Sequence, residues 1–161
     1  MKRTTNILDR IGSLIPGYIG YAKRDNQRIS DKLLRNQIAA RLVEVEEAIN
    51  EMQKNVARGQ ISINLLELEE LRKGCSALSA KIKNATYGNS ALFDKEQIKE
   101  EELQELYRQD ELILDKVNDL NLLIQQEQEA NFLVTAVRSK LKDVGKAFSE
   151  RTDYLQFKGN K

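Results

Sequence analysis

The feature that most constrains the fold of this chain is a set of heptad seams, in which apolar residues recur at alternating spacings of three and four. Such seams occupy residues 38–56, 68–85, 103–124 and 134–148. This spacing keeps one face of an α-helix apolar over many turns, so each seam predicts a helix that packs lengthwise against others. The first seam consists of Ile38, Leu42, Val45, Ile49, Met52 and Val56.

Residues that favour helix ends lie between the seams. A long helix is expected from about Gly20 to Arg58, because Gly59 stands where a left-handed C-terminal residue belongs. Asn64 is expected to begin the next helix, which the sequence Tyr-Gly-Asn-Ser at 87–90 ends. Asp94 predicts a capping box with Gln97 at the start of a further helix.

Residues 125–131 are polar for a full heptad but contain neither glycine nor proline. A turn here would return the last helix along the first, giving an all-α fold, an antiparallel four-helix bundle with coiled-coil-like seams. The alternative is a three-helix arrangement with one long continuous C-terminal helix, which would need a partner chain to cover its last seam. We expect the four-helix bundle.

A short amphipathic helix is expected to precede the bundle. Its apolar stripe is followed by Pro16 and Gly17, which disfavour further helix and provide a hinge. The expected division is residues 1–17 for this segment and hinge, 18–157 for the helical bundle, and 158–161 for a frayed tail. The stripe consists of Ile7, Leu8, Ile11, Leu14 and Ile15.

The residue types needed for common catalytic sites are missing. The chain has no histidine, which removes the usual general base and the usual partner of a nucleophilic serine or cysteine. No glycine-rich phosphate loop occurs, and the consecutive acids Glu100–Glu102 point in different directions on a helix. We therefore expect no enzyme activity, no catalytic residues, no cofactor, no metal site and no small-molecule substrate.

Location and partners follow from charge and cysteine content. The single cysteine, Cys75, excludes an internal disulfide, and no uninterrupted apolar segment is long enough to span a membrane. A cytoplasmic protein is expected, with a peripheral position at the inner face of the membrane as the alternative. A net charge of +1 argues against nucleic-acid binding.

Charged residues interrupt two of the seams. Asp110 stands among leucine, isoleucine and valine, where an unpaired carboxylate would lose its hydration. We expect it to be at least half buried, as a polar register contact with a basic side chain of another helix, and turn counting selects Arg41 ahead of Arg138 or Lys140. The alternative is a seam that rotates to expose Asp110 to water at an edge. The first seam, extended backwards, falls on Arg35, Asp31, Arg28 and Arg24.

The N-terminal stripe, two tyrosines and these arginines form the candidate surface for a protein partner or a membrane. Basic residues beside an apolar stripe are typical of a helix that lies on anionic lipid, whereas the same stripe could instead cover the end of the bundle. The candidate residues are Ile7, Leu8, Ile11, Leu14, Tyr18, Tyr21, Arg24, Arg28 and Arg35.

The sequence I-P-G-Y-x-G-Y at 15–21, followed by Arg28, Asp31 and Arg35, resembles a family of uncharacterised bacterial helical proteins, as does Ala-Leu-Phe-Asp at 91–94. This resemblance implies a bacterial source and no particular activity. The layout of a short amphipathic helix, a proline and a long helical hairpin is also similar to the phage-shock-protein-A family of membrane-remodelling proteins.

The expected function is therefore that of a non-enzymatic helical scaffold or adaptor, which binds a protein partner or itself through helix faces. The alternative is a peripheral membrane-associated protein that binds anionic lipid through its N-terminal amphipathic helix and the basic end of its bundle.

Overall fold

The computed structural model describes residues 2–85, 91–126 and 130–158, with side chains from residue 7 in the first range and from residue 132 in the last. Within these ranges every regular element is helical, so the predicted all-α class is confirmed. The elements are α1 (Lys2–Leu14), α2 (Arg24–Ala57), α3 (Leu65–Lys83), a short 3-10 helix (Ala91–Asp94), α4 (Glu100–Gln125) and α5 (Ala130–Phe157).

The ends of the helices show which local signals were decisive. Gly59 has a φ of 73°, and the Asn64 side chain accepts a 2.9 Å hydrogen bond from the backbone amide of Leu66, as predicted for these two positions. The expected cap at Asp94 is wrong, because Asp94 closes the 3-10 helix. Helix α4 begins after Lys99, whose backbone amide donates a 3.0 Å hydrogen bond to the Glu102 carboxylate. Residues 87–90, predicted to end α3, lie outside the described ranges.

Helix α4 does not continue into α5. It ends at Gln125, and Gln126 has extended backbone with a ψ of 140°. Residues 127–129 lie outside the described ranges, and α5 begins at Ala130. The two helices pack on each other, so the continuous C-terminal helix is not formed.

Among the helices from α2 to α5, each packs on two others of this set. Helix α2 contacts α3 and α4, and α5 contacts the same two helices, while α1 lies on α4. The heptad positions supply the core, because their side chains lie between the helices. Buried seam residues include Ile38, Leu42, Val45, Ile49, Leu68, Leu71, Cys75, Ile82, Leu106, Ile113, Val117, Leu120, Val137 and Val144.

Among the described residues, none of the helices combines the length and the apolar character that crossing a membrane requires.

Candidate functional site

The most unusual side chains of the molecule meet around Asp110 of α4, which is fully buried. Its Oδ1 atom lies 2.5 Å from Nε of Arg151 on α5. Its Oδ2 atom accepts a hydrogen bond from the Tyr18 hydroxyl, at 2.8 Å. The same atom also accepts a hydrogen bond from the Tyr21 hydroxyl. The expected burial of Asp110 beside a basic side chain of another helix is confirmed.

Arg151 extends the network to α2. Its Nη2 atom lies 2.8 Å from Oδ1 of Asp31 and donates a 3.0 Å hydrogen bond to the Tyr21 hydroxyl. The guanidinium is planar and can hold several acceptors at fixed angles, so one side chain joins α5 to α2, α4 and the segment before α2.

A second arginine connects this network to α3. Nε of Arg35 lies 2.9 Å from Oδ2 of Asp31, one helical turn away on α2. Its Nη1 atom donates to the backbone carbonyl oxygen of Lys83 at 2.8 Å. Lys83 is the last residue of α3, where carbonyl groups lack helical partners and the helix dipole favours a cation.

We refer to Asp31, Arg35, Asp110 and Arg151 as the buried ion network. Each is at most 4% exposed. The four formal charges sum to zero, and each charged group has a charged partner. Complete pairing matters because a buried charge without a partner costs several kcal/mol, whereas a satisfied pair recovers most of its desolvation.

Residues 15–23, which we call the strap, lie between α1 and α2 and fasten onto this network. The backbone amide of Tyr21 donates to the Tyr107 hydroxyl at 2.9 Å, and Nε2 of Gln27 donates to the Tyr21 carbonyl oxygen at 3.0 Å. The Tyr21 ring stacks on those of Phe93 and Tyr107, with centroids 5.3 and 5.6 Å apart. Every helical element in the described ranges therefore meets either the strap or the network.

Burial governs the protonation of these groups. It raises the pKa values of Tyr18 and Tyr21 well above their ordinary range, so both phenols remain hydrogen-bond donors. Burial also raises the pKa of Asp110, against the opposing effects of Arg151 and the two hydroxyls. Burial alone would lower the pKa of Arg151, but Asp110, Tyr21 and Asp31 hold it well above its ordinary value, so this guanidinium stays charged.

The predicted partner of Asp110, Arg41, is wrong. The carbonyl oxygen of Arg41 accepts a 3.1 Å hydrogen bond from Nδ2 of Asn121, which places Arg41 beside Asn121 on α4. Asn121 stands eleven residues beyond Asp110, about 16 Å along the helix. The Arg41 side chain is out of reach of Asp110 and pairs at the surface with Glu44, at 3.2 Å.

The prediction that the candidate partner-binding residues form an exposed surface is also largely wrong. Tyr18, Tyr21 and Arg35 are buried in the strap and the network, Ile11 is buried, and two further stripe residues pack against the core because α1 lies on α4. Three of the candidates are exposed, and Arg28 has a 3.8 Å contact with Asp94. The packed stripe residues are Ile7 and Leu8, and the exposed candidates are Leu14, Arg24 and Arg28.

Arg151 and Asp31 were absent from the predicted contact, although both occupy heptad positions. Arg151 follows Val144 and Phe148 at the seam spacing, and Asp31 stands one heptad before Ile38. An arginine in one seam and an aspartate in each of two others indicate mutual pairing. These opposite charges at seam positions were the signal in the sequence from which the pairing of Arg151 with Asp31 and Asp110 could have been predicted.

No family model matches the chain, and neither curated proteins nor solved structures gave a match. In the part of the chain that the structure describes, no three acidic or thiol side chains converge where a metal ion could be held.

Proposed function

We propose that the protein is a non-enzymatic helical scaffold or adaptor that binds protein partners through the outer faces of its helices. In this proposal α2 to α5 form one antiparallel four-helix bundle, preceded by α1. The pairing of α2 with α3 and of α4 with α5, together with the two cross-contacts between these pairs, supports the bundle. We further propose a cytoplasmic protein, which agrees with the single, buried cysteine.

The observation that carries this proposal is the internal pairing of the buried ion network. Asp110, Arg151 and Tyr21 are the groups best suited to acid–base or anion chemistry, but they bind one another within the core. Their arrangement fixes the relative register of the helices, a common use of buried polar contacts. The network therefore supports a rigid body whose contacts with other molecules are made by exposed side chains.

Membrane binding through α1, the alternative function, has less support. Ile11 and Ile15 are at most 2% exposed, and their stripe packs on the core. Lipid contact by this stripe would require α1 to leave α4 and break the ion pair of Arg10 with Glu111, whose atoms are 2.5 Å apart. Arg10, a basic residue beside the stripe, is thus paired within the protein.

Site-specific photo-crosslinking of the full-length protein in cells tests the proposal. A photoreactive residue would be placed at exposed Leu112 on α4 or exposed Ala40 on α2, with buried Leu106 as the matched control. We expect discrete protein adducts from the two exposed positions and none from position 106. Lipid adducts at position 8 on α1, with co-sedimentation of the protein with anionic liposomes, would favour the membrane alternative.

A further inference from the structure

Two different surfaces of the molecule carry complementary charges. The first is the outer face of α4, defined by Arg108, Leu112, Asp115 and Asp119, which are all exposed and follow one another at spacings of four, three and four. Leu112 is 45% exposed and stands between charged residues. An exposed heptad stripe with an apolar residue at its centre is typical of a helix that packs into a groove.

The second surface is a groove between α2 and α3 with a volume of about 480 Å³. The residues at the base of the groove are small, so the groove is not filled by side chains. The Ser79 hydroxyl donates a 3.1 Å hydrogen bond to the Ala39 carbonyl oxygen and so links the two helices. The groove is apolar in the middle and has an exposed lysine, Lys83, in its wall. It is lined by Asn36, Ala39, Ala40, Val43, Ser79, Ala80, Lys83 and Asn84.

The charges along the two surfaces follow the same order in opposite directions. From Ala40 towards the N-terminus of α2, the first charged residue of the groove is Lys83, which lines it together with Asn36, about 6 Å from Ala40 along the helix. Exposed Lys32 follows at about 12 Å. In the other direction exposed Glu44 follows at about 6 Å.

The outer face of α4 matches this order. Starting at Leu112, Asp115 follows at about 4.5 Å and Asp119 at about 10.5 Å, while Arg108 lies about 6 Å in the other direction. An α4 helix that runs antiparallel to α2, with Leu112 over Ala40, therefore places both acids opposite lysines. Arg108, which pairs with Glu105 at 2.6 Å in its own chain, then lies opposite Glu44, which pairs with Arg41 at 3.2 Å.

The outer face of α4 also carries negative charge that its own chain does not neutralise fully. Partial burial, and then repulsion by Glu111 and Asp119, raises the pKa of Asp115 despite the presence of Arg10. A lysine from another molecule would relieve this repulsion. The chain as a whole has a net charge of only +1, so copies of it do not repel one another strongly.

We propose that the protein associates with itself, the outer face of α4 of one copy docking into the α2–α3 groove of the next. This partner assignment rests on the proposed function, because it names one partner of the helix faces. The contact is heterologous: each copy offers one face and one groove, so association continues into a ring or an open chain. Salt weakens it, because exposed charges set its register.

Sedimentation velocity of the full-length protein over a concentration series tests the proposal. Wild-type protein should form oligomers in 0.05 M salt, with association weakened at least about tenfold in 0.5 M salt. Ala40→Glu fills the groove with an acid, and the triple variant Leu112→Ala/Asp115→Asn/Asp119→Asn removes the face. Each should weaken association at least about tenfold.

Matched controls carry the same changes of charge at other exposed sites. Ala77→Glu adds an acid to α3 away from the groove lining, and Asp143→Asn/Asp153→Asn removes two acids from α5. Both controls should associate like wild type, and urea unfolding verifies that all four variants are folded.

The decisive experiment mixes the two disabled variants. Ala40→Glu keeps an intact face and the triple variant keeps an intact groove, so the mixture should form a 1:1 dimer that grows no further. A wild-type protein that stays monomeric overturns the proposal, as does oligomerisation unaffected by Ala40→Glu or a mixture that does not dimerise. If self-association fails while photo-crosslinks to other proteins persist, the scaffold function stands without the self-partner.

Discussion

At the scale of single residues, the contribution of Asp110 depends on its pairing with Arg151. Replacing Asp110 by Asn leaves three members of the buried ion network with one excess positive charge. We expect Asp110→Asn to lower the free energy of unfolding by about 3–5 kcal/mol, since it strands part of a buried guanidinium. Urea unfolding measures this loss. Exposed Asp143→Asn is the control, with an expected change within about 0.5 kcal/mol.

The reason for this loss can be checked by removing both charges. Asp110→Leu/Arg151→Met leaves Asp31 and Arg35 as a balanced pair, so the double variant should be more stable than Asp110→Asn alone. A double variant less stable than the single one would contradict charge stranding as the cause.

Cys75 gives a second prediction at this scale. It is fully buried in the seam of α3, and burial, followed by the nearby Glu46, raises the pKa of its thiol to about 12. Very little thiolate exists at pH 8, so an aromatic disulfide reagent should label Cys75 only as fast as the protein opens. Labelling should become rapid in urea above the unfolding midpoint. Rapid labelling of the native protein would show that the seam is open at this position.

At the scale of elements, the strap requires a glycine at position 20. Gly20 has a φ of 86°, and a Cβ atom here would overlap the Tyr107 hydroxyl and lie 2.9 Å from Cδ1 of Leu8. Gly59 has a similar φ of 73° but open space around it. The two positions therefore separate backbone strain from steric overlap.

We expect Gly59→Ala to cost about 1–2 kcal/mol, the penalty of a left-handed backbone alone. Gly20→Ala should cost at least about 2 kcal/mol more, because the strap must also move away from Tyr107 and α1. Urea unfolding compares the two variants, and near-UV circular dichroism reports the stacked tyrosines around Tyr21. Equal losses would mean that the strap adapts without cost.

The helices themselves could be predicted because their signals are local. The seam from Ile38 to Ile49 is buried as the heptad spacing predicts, and Asn64 caps the helix that it begins. The prediction of a helix cap at Asp94 failed because a residue acts as an N-cap only if the backbone after it is helical. Here a 3-10 helix and a short connection intervene before α4.

The contacts between elements could not be predicted in the same way. The pairing of Asp110 with Arg151 depends on the relative axial position of α4 and α5, and a shift of a few residues would select another base. The strap helps to fix this position, because the hydroxyls of Tyr18 and Tyr21 donate hydrogen bonds to Oδ2 of Asp110. Sequence spacing fixes neither the path of the strap nor the stagger of α2 against α4, which placed Arg41 beside Asn121.

At the scale of the whole molecule, the two ends of α2 have different surroundings. The end at Arg24 adjoins the strap, which precedes it, and the buried ion network. At the other end α2 continues sixteen residues past Arg41, whereas α4 ends four residues past Asn121, which lies beside Arg41. Helix α2 therefore outruns α4 by about 18 Å.

This asymmetry predicts a gradient of local stability along α2. Residues 28–33 and 48–53 lie equally far from the two ends of the helix, but only the first group adjoins the network. We expect the amide hydrogens of 48–53 to exchange through openings that cost at least about 2 kcal/mol less. Hydrogen exchange measured residue by residue by NMR compares the two groups. In Asp110→Asn the protection of residues 28–33 should fall towards that of 48–53, because the network is what distinguishes the ends. Equal protection in wild type, or a variant that lowers both groups alike, would contradict this explanation.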